Sequence, residues 1–301
     1  QTETYGTAKL VKTSEDGIVS GITFNISGTD ILGNKVDQDV TTGENGQIEE
    51  KFLPGTYFVK ELPVDRYVTP AAQYITIESG QTSTVHFSNI LKKFRVHAVK
   101  TDADTGTAQG DATLAGATYG LYNNGDLVDT FTTDAAGEFL TGYYVCGENW
   151  TLREIEPSTG YLLNETVYEV GASPTLYEVE LNTAENSVTE TVIYGNIQLV
   201  KHTDEADPDV SEEENADNPN EGVIETPEAG AVFEIYLTAA GSYEEAKESE
   251  RDLLTTDENG FAASKQLPYG HYTVHQIEGK DGKGFIPDFT VFVNENGHTY
   301  S

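Results

Sequence analysis

Cysteine and tryptophan occur once each, and methionine is absent. A single thiol excludes any intrachain disulfide, so whatever braces this chain uses other chemistry. Basic residues are scarce: 17 Lys and Arg stand against 51 Asp and Glu, a net charge of −34. That deficit argues against nucleic acid and anionic membrane surfaces as partners, because both require clustered Lys and Arg. It suits a soluble, self-repelling surface protein. No apolar run is long enough to span a bilayer, and no leader peptide or sorting tail is recognisable. The sequence therefore reads as an internal segment of a longer chain. Helical periodicity is also missing; the best helical stretch, near 242–251, is short and rich in Glu.

What the chain does have is aromatic and turn-forming. There are 17 Tyr, 12 Phe and 29 Gly, and Thr and Val are frequent, which favours strands joined by turns. One strand-like run ending in lysine appears three times: Ala8-Lys9-Leu10-Val11-Lys12, Val96-His97-Ala98-Val99-Lys100 and Ile197-Gln198-Leu199-Val200-Lys201. The spacing predicts three tandem all-β units, at 1–91, 92–195 and 196–301, each an Ig-like sandwich joined to the next by a very short connection. An acidic insertion at 204–228, with three prolines, is expected to be a mobile loop in the third unit.

Side chains alternate across a strand, so Lys12, Lys100 and Lys201 each fall on an apolar face. A lone buried ammonium must pair, lose its proton or react. Two further positions recur. Glu61 shares a face with Tyr57 and Val59, and Glu154 with Trp150 and Leu152. Asn89 shares one with Val85 and Phe87, and Asn196 with Val192 and Tyr194. Two units thus carry Lys, Glu and Asn on inward faces. Burial lowers a lysine pKa and raises that of a glutamate. A neutral amine held against an asparagine carboxamide can expel ammonia and form an isopeptide bond, with the glutamate moving the protons. The expected cross-links are Lys12–Asn89, mediated by Glu61, and Lys100–Asn196, mediated by Glu154. A satisfied buried ion pair is the alternative for either set. The reaction happens once, so the chain is not an enzyme in the turnover sense.

The run Trp150-Thr151-Leu152-Arg153-Glu154-Ile155-Glu156-Pro157-Ser158-Thr159-Gly160-Tyr161 resembles the E-box of Cna B-type (collagen-adhesin B-region, SpaA-like) domains of Gram-positive surface adhesins and pilins. Glu61, Pro63 and Tyr67 form a looser version. The resemblance implies a reverse-Ig or prealbumin-like sandwich, an autocatalytic Lys–Asn bond, an extracellular, cell-wall-anchored location, and anchoring by a sortase through regions outside this segment. The third unit departs from the pattern: Gln276 stands where the others have Glu, Glu278 is the only nearby substitute, and, with Glu295-Asn296-Gly297 aligned to Glu78-Ser79-Gly80, the sequence stops before the position of the partner asparagine, so Lys201 is expected to be unbonded.

Cys146 lies in a turn with no accompanying glutamine motif and reads as an ordinary thiol rather than a thioester former. The six His show no metal spacing; Ca²⁺ is conceivable only around Asp102-Ala103-Asp104 or 207–214, neither of which has a defined ligand loop. The function expected is a stalk segment of a surface adhesin. The absence of a Tyr-Pro-Lys-Asn motif makes a polymerising shaft subunit the lesser reading. The rivals are a module gripping a host glycan or matrix protein, and accessory domains of an extracellular hydrolase.

Overall fold

A computed structural model describes residues 4–206, 225–280 and 284–301. The regular secondary structure is nearly all β, in three sandwiches. The first contains β1 (Gly6–Ser14), β2 (Thr23–Asp30), β3 (Lys35–Thr41), β4 (Gln47–Phe52), β5 (Gly55–Glu61), β6 (Tyr67–Val68), β7 (Gln73–Ile77) and β8 (Thr82–Leu91). One sheet has the order β4-β1-β8-β6 and the other β3-β2-β5-β7. The first and last strands are parallel neighbours, with Lys12 opposite Phe87 and Ser14 opposite Asn89. Strict alternation puts Ala8, Leu10 and Lys12 of β1 inside, with Val85, Phe87 and Asn89 of β8. They meet Phe24, Ile26, Tyr57 and Val59 of the facing sheet. Each large apolar side chain fully buried there contributes about 1.5–3 kcal/mol relative to exposure.

The second unit repeats the plan with β9 (Lys93–Asp102), β10 (Thr118–Asn123), β11 (Asp126–Thr132), β12 (Glu138–Leu140), β13 (Tyr144–Val145), β14 (Trp150–Glu156), β15 (Tyr168–Glu169) and β16 (Leu181–Glu190). Strand β9 is central, with β16 parallel on one edge over ten residue pairs and β12 then β13 on the other. The facing sheet is β11-β10-β14-β15. The third unit has β17 (Tyr194–Val200), β18 (His202–Ala206), β19 (Glu225–Pro227), β20 (Val232–Leu237), β21 (Arg251–Thr255), β22 (Phe261–Ala263), β23 (Leu267–Pro268), β24 (Gly270–Glu278), β25 (Phe289–Val293) and β26 (Thr299–Tyr300). Each unit has its own apolar core.

Some expectations need correction. The stretch near 242–251 forms only a 3₁₀ turn at Glu248–Glu250. Most of the supposed loop at 204–228 lies outside the described residues, but its two ends pair as β18 and β19. The second unit's closing strand ends at Glu190, and Asn196 belongs to β17, the opening strand of the third.

The joints are short and tied. Only Lys92 separates β8 from β9. Across that joint Lys93 pairs with Glu15 at 2.7 Å, and the Lys92 ammonium donates to the Pro174 carbonyl at 3.0 Å. At the next joint Ala112, Tyr161 and Val192 form a small separate core packed by Tyr194 and Tyr269. There the Asp111 amide donates to the Tyr269 carbonyl at 2.9 Å, and the His271 amide donates to Asp111 Oδ2 at 2.8 Å. Gly110 has φ +56°, and a Cβ there would sit 2.0 Å from the Tyr269 carbonyl oxygen, so only glycine allows this approach.

Candidate functional site: three versions of one buried position

In the first unit the structure brings Lys12, Glu61 and Asn89 together. They are 3%, 5% and 1% exposed, so water scarcely reaches any of them. Glu61 ends β5 because the Tyr57-Val59-Glu61 face points inward and pairs opposite Phe24 of β2. Its Oε1 lies 3.6 Å from Lys12 Nζ and accepts a 2.8 Å hydrogen bond from Asn89 Nδ2. Lys12 Nζ also donates to the Phe87 carbonyl at 3.3 Å. Glu61 Oε2 and Asn89 Oδ1 are buried with no hydrogen-bond partner, a costly arrangement for a purely structural cluster. Burial pushes the Lys12 pKa down against the opposing pull of Glu61. Burial likewise raises Glu61, against the counter-effects of Asn89 and Lys12. Both shifts favour the neutral amine and the neutral acid.

The second unit holds Lys100 and Glu154 on matching inward faces, 1% and 3% exposed. Glu154 stands opposite Tyr119 as Glu61 stands opposite Phe24. Asn196 is not their partner. It is half-exposed on β17, where its Oδ1 accepts from Thr299 Oγ1 at 2.8 Å. Strand β16 pairs Lys100 with Val188 and Asp102 with Glu190, so Glu190 occupies the place that Asn89 has beside β1. Glu190 is 1% exposed and accepts a short hydrogen bond from the Tyr119 hydroxyl. Burial and the adjacent Glu154 carboxyl push its pKa up to about 8, against the Tyr119 hydrogen bond and the Lys100 charge. Two carboxyls in one dry site cannot both ionise cheaply, which is why Glu190 is pushed toward its neutral form. Lys100 turns away: its ammonium donates to Ser158 Oγ and lies 4.1 Å from the centre of the Tyr161 ring. Desolvation lowers its pKa against the pull of Glu190, Glu154 and Asp102.

Glu190 was legible in the sequence. The interval of eleven positions from Asn89 to Lys100 recurs from Glu190 to Lys201, whereas Asn196 lies only five positions before Lys201.

The third unit carries neither set. Gln276 stands opposite Phe233, the register of Glu61 and Glu154 in the other units. Its carboxamide is consumed locally: Nε2 donates to the Glu278 carbonyl and Oε1 accepts from the Ile286 amide, both at 3.0 Å. The Glu278 side chain is exposed, because a bulge shifts the register just past Gln276, so it does not substitute. Lys201 lies beyond the end of β17 and forms a 2.9 Å ion pair with Glu228, a buried carboxylate at the end of the acidic insertion. Burial works to raise the Glu228 pKa, but Lys201 and the Lys280 amide hold it below its ordinary value.

Asp102, considered for Ca²⁺, is a buried hydrogen-bond hub. It accepts from the Tyr161 hydroxyl, Gln109 Nε2 and the amides of Asp104 and Thr105, at 2.9–3.0 Å. The 207–214 stretch lies outside the described residues. Cys146 is buried, and burial raises its pKa, which makes it a poor nucleophile. No helix among the described residues is long and apolar enough to cross a membrane.

Comparison with known proteins agrees with this architecture. The solved Bacillus anthracis TIE protein superposes with a TM-score of 0.67 at 24% identity, over 99% of this chain and 49% of that one. This chain thus spans about half the length of that structure. Another match is BcpA, the major pilin subunit of Bacillus cereus (14% identity, TM-score 0.43, 98% of this chain and 97% of that one). The shaft pilin SpaA of Lactobacillus rhamnosus GG also matches (17% identity, TM-score 0.27, 62% of this chain and 98% of that one). A sequence comparison with curated proteins found no match. The profile of the SpaA prealbumin-like fold domain matches residues 95–187 and 224–301, more than half of the sequence, and the chain therefore belongs to that family.

Proposed function

We propose that this chain is a stalk segment of an extracellular, cell-wall-anchored surface protein of a Gram-positive bacterium, an adhesin or pilin-like molecule. Its first unit is braced by a Lys12–Asn89 isopeptide bond. The carrying observation is that Glu61 Oε1 touches both the lysine nitrogen and the asparagine nitrogen in a site closed to water. Lys12 Nζ attacks Asn89 Cγ, forming the new C–N bond. The C–Nδ2 bond breaks, and ammonia leaves with the proton that Glu61 relays from the attacking nitrogen. Ordered proximity supplies most of the rate, since both side chains are fixed by neighbouring strands. The product also removes a buried amine.

The placement suits load bearing. Tension entering β1 crosses at Lys12 to Asn89 and leaves through β8 into β9, so the chain between those residues carries no load. A sortase would attach the protein through regions beyond this sequence. Intact mass spectrometry tests the reading: the protein is expected to be lighter than its sequence by one ammonia. Full mass would overturn the bond.

A further inference from the structure

The three units supply their own comparison at the aromatic position four residues before Glu61, Glu154 and Gln276. Tyr57 and Tyr272 are fully buried, and each hydroxyl donates at 2.6 Å to the carbonyl four residues earlier, Leu53 and Pro268. The middle unit has Trp150 there. It is only half-buried, leaning edge-on against Phe94 with ring centres 5.0 Å apart. Its indole N–H has no hydrogen-bond partner among the described residues, yet it is not a sealed orphan. Trp150 instead lines an open cleft of about 810 Å³.

The wall of that cleft is preset. Asn124 (φ 51°) and Asn149 (φ 61°) are the two non-glycine residues with left-handed backbone among those described, and both line it. They lock each other: the Asn124 amide donates to the Asn149 carbonyl at 3.0 Å, and Asn149 Nδ2 donates to Asn124 Oδ1 at 2.9 Å. Asn124 and Gly125 form the two-residue turn between β10 and β11, a conformation that Asn and Gly favour, so the wall is fixed by the hairpin itself. Glu148 and Glu169 add acceptors, and Leu176 adds an exposed apolar lip.

We infer that this cleft binds a neutral saccharide. The half-buried indole and an aliphatic lip suit the C–H face of a pyranose ring, while carboxamides, carboxylates and a free N–H suit its hydroxyls. No Lys or Arg lines the cleft, and the chain carries a charge of −34, so anionic sugars are repelled. The inference is independent of the isopeptide bond.

Trp150 is the sole tryptophan, so its fluorescence reports this cleft directly. The full chain is titrated with chitotetraose, cellotetraose and lacto-N-tetraose, each up to about 10 mM, beyond the weak end of specific affinity. At least one is expected to give a saturable emission change, and a sialylated counterpart to bind at least tenfold more weakly. Asn149→Gly keeps the backbone conformation and removes only the side chain; it is expected to weaken binding about tenfold, roughly one hydrogen bond to a polar ligand. Trp150→Tyr, read by calorimetry, is expected to abolish binding while the melting temperature confirms folding. No saturable change with any of the three sugars overturns the inference. So does binding that survives Asn149→Gly and Trp150→Tyr combined.

Discussion

Replacing Asn89 by alanine removes the electrophile but leaves the Lys12–Glu61 pair, 3.6 Å apart, in place. The perturbation therefore separates the proposed covalent bond from the Lys12–Glu61 contact. Closing the chain from Lys12 to Asn89 makes a loop of roughly 80 residues, which restricts the unfolded state by about 4–5 kcal/mol in the chain-entropy account. In a unit of this size each kcal/mol moves the midpoint by roughly 4–8 °C, so the first unit is expected to melt roughly 20–35 °C lower. Scanning calorimetry of the three-unit chain reads that transition, and intact mass reads the bond in the same sample. Glu61→Gln is expected to restore full mass as well. Its melting loss is expected to exceed that of Asn89→Ala, because Lys12 is left without its carboxyl partner, a fault that typically costs about 3–5 kcal/mol. An unchanged first transition in Asn89→Ala would refute the mechanical reasoning even if the mass returned to full value.

Three other outcomes are expected. Tyr119→Phe combined with Glu190→Asn reproduces in the second unit the residues found around Glu61, and it is expected to produce loss of a second ammonia; retention of that mass would show that Ser158 holds Lys100 out of reach. In the unmodified chain, Glu190 binds its proton more tightly folded than unfolded. The second unit's stability is therefore fullest below its ordinary pKa of 4.5 and declines by a few kcal/mol as pH rises toward about 8. Glu190→Gln is expected to flatten that decline in melting scans, and a wild-type midpoint that rises over this range would contradict it. Gly110→Ala forces a Cβ onto the Tyr269 carbonyl and is expected to undock the second joint, seen as a larger radius of gyration and new proteolysis near 109–112; unchanged scattering would refute the claim that this contact fixes the joint.

The strand faces were legible because a period of two is a strong signal wherever one face is buried. The pattern of β1 alone places Ala8, Leu10 and Lys12 inside, and β9 does the same for Val96, Ala98 and Lys100. What the residues could not show is where one unit ends when two strands run on almost without a break. Asn196 looked like a closing asparagine because Val192, Tyr194 and Asn196 alternate correctly, but alternation says nothing about which sheet a strand joins. The parallel register with β9 decides it, and there the matching residue is a glutamate, whose signal in the sequence is its interval of eleven positions to Lys201 and not its residue type. Glu228 was missed for a different reason. Its acidic surroundings read as solvated, and only the pairing of β18 with β19 brings it back to Lys201.

The same position thus has three chemistries: an amine facing an amide in the first unit, a carboxyl whose pKa burial raises beside a second carboxyl in the second, and an ion pair in the third. This difference has a mechanical consequence that can be measured. In the second unit, β9 and β16 are joined by ten residue pairs in parallel, so pulling the ends apart loads those hydrogen bonds in shear. Once they give, the intervening chain of roughly 100 residues extends by roughly 330 Å. In the first unit a bond at Lys12 and Asn89 stops extension after a few residues at each end. Single-molecule pulling is therefore expected to show the second unit's step and no matching step from the first. Asn89→Ala is expected to add one, of roughly 260 Å for the roughly 80 residues released. A step of that length in the unmodified chain would mean that the first unit opens fully under load, and the covalent path through Lys12 would have to be abandoned.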